Sequence, residues 1–264
     1  MVFADLFFIY FFLPLCLICY FAAKKLETKN KVLIVFSLIF YAWGEPIWII
    51  LLLFSAAFNW IMGMHIGANR NKPRGKIFMA TAISVDILLL LIFKYTGFFA
   101  ETFNGIFHAS IPVPQIALPI GISFYTFQAI SYVLDCYWEN VKPQRQFSKF
   151  LLYLSLFPQL IAGPIVRYSV VEQEVSKRRV TATDLSEGAL RIIVGLAKKV
   201  IIANNLYAIV TQFFGQDIST LSTLGTWYTV IVYSMYVYFD FSGYSDMAIG
   251  LGRMFGFHFD ENFK

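Results

Sequence analysis

One apolar segment of the sequence carries a row of side chains that could do chemistry. Within 118–137, Gly121, Tyr125, Gln128, Tyr132 and Asp135 recur at helical spacing, and Glu139 extends the row just beyond it. At 100° per residue they share one face. Phe127, Ile130, Val133, Leu134 and Tyr137 fill the opposite side. Amides, phenols and carboxylates of this kind bind polar groups or move protons. In lipid each is expensive unless satisfied, so the stripe must face a bundle interior or a wet passage. The structural alternative is hydrogen-bond glue between helices, and the longer the stripe, the less glue alone explains it.

A second row repeats the theme. Thr229, Tyr233, Tyr236 and Asp240 are spaced for one face of the segment 224–241. Asp240 then leads into a polar, glycine-broken stretch holding Ser242, Gly243, Tyr244, Ser245 and Asp246. The two carboxylates could form an acid–base pair, but a structural network capped by Arg253 is the favoured reading. Asp86 and Lys94 read as interior or snorkelling residues with no chemistry assigned. His65, His108 and His258 lie outside mid-span positions and share no metal-ligand spacing with another His, Cys or carboxylate. They read as interfacial histidines, and no metal site is expected. Cys16 and Cys19 make a C-x-x-C inside an apolar run, without the second pair that a metal or redox site needs. They read as small apolar helix residues. No nucleophile-elbow, P-loop or zincin motif is present.

The elements that must position these groups are membrane helices. Of 264 residues, 58% are hydrophobic and 14% charged, against about a quarter charged in soluble domains. Mean hydropathy is +0.65. Apolar runs at 6–23, 32–43, 47–64, 77–93, 118–137, 150–166, 189–214 and 224–241 are read as helices, most of them near the roughly 20 residues that span a bilayer. A weaker run, 247–259, reads as a short or interfacial helix. The first run is read as retained, because no basic region precedes it. Strand-like alternation is absent, and open backbone cannot cross lipid unpaired. Basic clusters at Lys24, Lys25, Lys29 and Lys31 and at Arg70, Lys72, Arg74 and Lys76 place both loops in the cytoplasm. The chain then goes outward to a loop around 96–117.

The run 150–166 is broken by Pro158, Gly163 and Pro164 and has basic residues on both sides, so it should enter the membrane and turn back. Thr183 or Asp184 should cap the next helix, whose crossing starts near Val200 after Arg191, Lys198 and Lys199. The loop 215–223 follows outside. The fold expected is an all-α, polytopic transmembrane helical bundle with a re-entrant segment, in one domain over 1–264. Its partner is the lipid bilayer. A basic stripe suited to nucleic acid is missing.

Four blocks carry a family resemblance: YAWG at 41–44, LPIGISFYTFQ at 118–128 followed by Ser131, Tyr132 and Asp135, FPQLIAGPI at 157–165, and YFDFSGYSDMAIG at 238–250. Together they resemble the membrane-bound O-acyltransferases, most closely the alginate O-acetyltransferase branch, along the whole chain. The resemblance implies a helical bundle around a tunnel in the bacterial inner membrane. An acyl group from a cytoplasmic donor such as acetyl-CoA, with no tightly bound cofactor, would pass toward an extracytoplasmic partner protein or a polysaccharide such as alginate. Gln128, Tyr132, Asp135, Tyr236, Asp240, Ser242 and Tyr244 would line or brace the tunnel, with Pro158, Gly163 and Pro164 in the re-entrant segment. Relatives carry their catalytic histidine in a Trp-Arg-Arg-Trp-His type stretch beyond the position of Lys264. No catalytic residue is therefore carried over. The chain is expected to be the N-terminal part of a longer enzyme and inactive alone.

A transporter or flippase for a lipid-linked or polyanionic substrate is the alternative. Transporters often pair broken segments in two halves, and only one such segment is found here. A noncatalytic membrane scaffold is a third reading.

Overall fold

The computed structural model of the chain describes residues 2–70, 72–114, 116–161, 163–164, 166–215 and 222–263. Among the described residues every regular element is a helix. They are α1 (Phe8–Ala22), α2 (Leu26–Gly44), α3 (Ile49–Ala68), α4 (Pro73–Phe107), α5 (Ile122–Tyr137), α6 (Phe147–Ser155), α7 (Phe157–Leu160), α8 (Tyr168–Ser176), α9 (Ala182–Phe214) and α10 (Thr223–Met254). Of these, α3, α4 and α9 are long and apolar enough to cross a membrane, and α1 is a shorter apolar helix. The chain is thus an all-α membrane protein.

Several expected boundaries move. The loop expected around 96–117 is helical as far as Phe107, because one π-helical turn at Leu91–Tyr95 carries α4 onward without a break. The stretch 241–246 is not glycine-broken, and 247–259 does not start a separate short helix. Instead α10 runs for 32 residues through Gly243 and Gly250, about 48 Å of helix. Packing against a neighbour outweighs the roughly 1 kcal/mol that a helical glycine costs.

The cap of α9 is Thr181, not Thr183 or Asp184. Its Oγ1 accepts from Asp184 N (3.1 Å), and the Asp184 carboxylate accepts from Thr181 N (2.9 Å), a reciprocal capping box. Within 150–166 the interruption falls at Leu156 (ψ 112°), and Pro158 sits in the first turn of α7. There its missing N–H leaves no bond unmade, so Pro158 helps start a helix instead of breaking one. Most of the expected loop 215–223 lies outside the described residues.

The described chain forms two compact units. The first comprises Met1–Ile18, Ala162–Pro164 and Arg178–Lys264, and the second Cys19–Ile161 and Ile165–Lys177.

In the first unit α9 lies against α10, and glycines set how closely. A Cβ on Gly188 would stand 2.7 Å from the Gly250 carbonyl oxygen, and one on Gly195 would stand 2.5 Å from that of Gly243. The reverse substitutions meet the same obstruction, at 2.6 Å and 2.8 Å. The two pairs are each seven residues apart, so two turns of each helix touch backbone to backbone. Small residues permit this approach between helices in a membrane.

In the second unit α3 packs on α4 and α5, α5 also packs on α8, and α2 packs on α6 and α7. The rings of Tyr132, Phe150, Tyr153 and Tyr168 form one cluster, with neighbouring centroids 4.5–6.0 Å apart. Such pairs each contribute roughly 0.5–1.5 kcal/mol beyond area burial. Phe157 N donates to Ser37 Oγ (3.1 Å), which ties the start of α7 to α2. Gly121 precedes α5 at φ 75°, and a Cβ there would lie 2.7 Å from the Leu160 carbonyl oxygen. Both facts demand glycine.

Candidate functional site

In the second unit α5 presents the predicted stripe to protein. Tyr125, Gln128, Tyr132 and Asp135 are all buried; on the expected far face Phe127 is half exposed but Val133 is fully buried, and Glu139, past the helix end, is exposed. The 125–128–132–135 spacing explains the buried row, since every step of three or four residues returns to one side of the helix.

The partners differ along the row. Tyr132 Oη accepts from Gln144 N (3.0 Å), and Gln144 Nε2 donates to Tyr168 Oη (2.8 Å). Asp135 Oδ1 accepts from Asn140 Nδ2 (3.1 Å), while its Oδ2 is buried with no partner among the described residues. Gln128 is fully buried, and neither of its amide atoms has a partner among the described residues. Burial pushes the Tyr168 phenol up to about 12, against a lowering from the Gln144 hydrogen bond. It therefore stays protonated at physiological pH and acts as a hydrogen-bonding group, not as a base.

Asp86, to which the sequence assigned no chemistry, is 1% exposed. Its Oδ1 accepts from Asn59 Nδ2 (3.0 Å) and its Oδ2 has no partner among the described residues. Unpaired buried acceptors cost about 1–3 kcal/mol each, which makes them candidate contacts for a water or a polar ligand. The signal for Asp86 was present in the sequence as a lone carboxylate in an apolar helix. Asn59, the group that receives it, could not be paired with it from spacing across 27 residues.

The remaining predicted residues gather in the first unit. Asp240 on α10 pairs with Lys199 of α9. Asp246 accepts from Arg191 Nη2 (2.8 Å) and from Lys198 Nζ (2.6 Å), and Arg191 also holds Glu261. Three cations thus meet three carboxylates, and the ladder is neutral. This resolves how α9 carries Arg191, Lys198 and Lys199 in an apolar helix: Asp240 and Asp246 of α10, with Glu261 from the segment after it, supply the counter-charges for cations that a membrane otherwise makes costly.

The ladder's caps are these α9 cations and not Arg253, which instead pairs with Asp184 and Glu187. His258 joins that second cluster, its Nε2 3.4 Å from Asp184 Oδ1. Its sequence separation of 74 residues from Asp184 hid the contact.

A hollow of about 190 Å³ opens beside the ladder, lined by Val2, Phe3, Ala4, Lys199, Asp240, Tyr244 and Met247. The Tyr244 ring stacks on Phe3 (4.5 Å) and its hydroxyl is buried without a partner among the described residues. Ser242 is buried with its hydroxyl equally unpaired. Tyr236 is half-buried and sits against Tyr207 (5.2 Å); it is one turn from Asp240 but is not among the residues that line the hollow. An ammonium, a carboxylate and a phenol in an otherwise apolar wall can hold one small polar group with a short apolar tail. The volume is below that of drug-sized sites.

Of the interrupted segment, Pro158 belongs to the second unit, whereas Gly163 and Pro164 belong to the first and are buried. No grouping of His, Cys, Asp and Glu among the described residues suits a metal ion.

Known proteins with similar sequences give this geometry a context. Residues 144–264 match the family model of MBOAT, the membrane-bound O-acyltransferase family. The chain is 37% identical over 270 residues to the probable alginate O-acetylase AlgI of Pseudomonas syringae pv. tomato, covering 100% of this chain and 51% of that protein. It is 32% identical over 289 residues to the peptidoglycan O-acetyltransferase of Helicobacter pylori, covering 97% of this chain and 54% of the relative. It is 29% identical over 202 residues to the teichoic acid D-alanyltransferase of Bacillus subtilis, covering 75% and 49%. The chain spans about half the length of the curated relatives it matches.

Proposed function

Because the chain belongs to the membrane-bound O-acyltransferase family, we propose that it serves O-acyl transfer, and O-acetyl transfer in particular, to an extracytoplasmic polysaccharide such as alginate. The observation that carries this is the alignment of the entire chain with an alginate O-acetylase, at higher identity than with the peptidoglycan and teichoic acid enzymes. The donor is a cytoplasmic acyl thioester such as acetyl-CoA. The acceptor is reached directly or through an extracytoplasmic partner protein, and the membrane is the bacterial inner membrane.

In the reaction a hydroxyl oxygen attacks the acyl carbonyl carbon. The C–S bond breaks as the C–O bond forms, and the hydroxyl proton passes through a base to the departing thiolate. We assign no general base within residues 1–264. Lys199, Asp240 and Tyr244 bind and orient: the ammonium and the phenol can donate to a carbonyl oxygen where negative charge develops. Gln128, Tyr132 and Asp135 line or brace the polar route in the second unit.

Deleting the gene and restoring it intact, with the O-acetyl content of the exported polysaccharide measured each time, tests the proposal. Loss and recovery of ester acetate are expected. Unchanged acetate in the deletion strain would sink the proposal, and loss of polymer export with normal acetate per sugar would favour a transporter.

A further inference from the structure

A basic hollow in the second unit opens beyond the end of α5, with Glu139 and Asn140 in its wall. A cavity of about 630 Å³ is lined by Arg70, Lys142 and Lys177, together with Glu139 and Glu172. Two neighbouring hollows, of about 450 and 440 Å³, share Arg70 as a common wall and add Arg145, Lys72 and Lys76. Six cations face two acids across this continuous surface, and among the described residues none of the six stands in an ion pair.

Arg70 is held but not satisfied. Its Nη2 donates to the Val141 carbonyl (3.3 Å), while its Nε is buried with no partner among the described residues. The facing wall is fixed at a backbone cost: Glu139 sits at φ 63°, and Asn140 N and Val141 N both donate to the Asp135 carbonyl to close the end of α5. A non-glycine residue held in that region points to a shape that other contacts enforce. The position is also informative. Arg70 lies between α3 and α4, both long and apolar enough to cross a membrane, so the hollow sits where those helices leave the bilayer. Ile61, Met64 and Ile77 are exposed on the flanking turns, within the reach of acyl chains.

We propose that this hollow binds the phosphate of an anionic phospholipid, with Arg70, Lys142 and Lys177 around the headgroup and the acyl chains along α3 and α4. Basic pockets between membrane helices on the cytoplasmic side suit such headgroups. Soluble phosphates share the charge but not the tails, and the helix ends favour the lipid.

The test uses the intact protein in neutral detergent, with phosphatidylglycerol or phosphatidylcholine added and bound lipid counted by native mass spectrometry. Selective retention of phosphatidylglycerol is expected, falling as salt is raised. The pair Arg70→Gln and Lys142→Gln should weaken that retention about ten- to thirtyfold, at about 1 kcal/mol per cation and 1.4 kcal/mol per factor of ten. Lys24→Gln with Lys25→Gln, an equal charge change elsewhere, should leave it unaltered. Equal retention of the two lipids by the wild-type protein, a measurement that needs no variant, would overturn the proposal. So would displacement of the lipid by millimolar inorganic phosphate or coenzyme A.

Discussion

Substituting Gly195 by Val tests the helix contact on which the charge ladder rests. The first added carbon would lie 2.5 Å from the Gly243 carbonyl oxygen and 2.8 Å from both Met247 N and Cγ. Ordinary contact begins near 3.4 Å, so α9 and α10 must part by about 0.9 Å, or one backbone must bend. Over-packing of this kind costs about 1–3 kcal/mol, and valine's slightly better helix propensity returns only a few tenths. Lys198 and Asp246 lie three residues from Gly195 and Gly243, and their 2.6 Å pair stretches with the separation.

The assay is thermal unfolding of the intact protein in detergent, followed by tryptophan fluorescence. At about 2–4 °C per kcal/mol, the midpoint should fall by roughly 2–10 °C. Gly105→Val is the control, because nothing lies within 4 Å of a Cβ there. Equal midpoints for Gly195→Val and Gly105→Val would refute the close glycine contact.

Other consequences follow from single contacts. Asp246→Asn removes the charge that Arg191 and Lys198 share. It should lower the melting midpoint more at low than at high salt, because the stranded cations repel through a weakly screened medium; salt-independent melting would contradict this. Gly121→Ala forces a Cβ into the left-handed region and against Leu160, and should cost roughly 1–2 kcal/mol or more, read as a lower midpoint or lost monodispersity. Thr181→Ala deletes the capping box of α9 and should cost about 1 kcal/mol, whereas Thr183→Ala should change the midpoint little; the reverse order would show that the cap is misplaced.

Much of the fold was legible because its signal is local. Most apolar runs became helix, although 150–166 is helical only as far as Leu160 and 118–137 only from Ile122, and the buried row of α5 followed from spacing, since a period of 3.6 residues fixes which side chains share a face. What stayed hidden needs a partner. Arg253 was chosen as the cap of the α10 acids because it is near in sequence, yet Arg191, Lys198 and Lys199 reach them from a helix some 41–55 residues away. Gly243 reads as a breaker on propensity, but its role is set by Gly195 across the helix interface. The seven-residue spacing shared by Gly188 and Gly195 and by Gly243 and Gly250 was the available clue. Asp86 was passed over for the same reason, because its meaning depends on Asn59.

Under the proposed function, polar side chains of this chain handle an acyl group on its way to a polysaccharide hydroxyl. Asp240→Asn in the intact protein tests this most directly, as it keeps the side chain's size and removes the carboxylate that faces Lys199 in the hollow. The measurement is ester acetate per sugar residue in the exported polymer, normalised to the amount of protein in the membrane. Ester acetate should drop about tenfold or more; acetate at the wild-type level with wild-type membrane abundance would refute a role for Asp240 in the transfer.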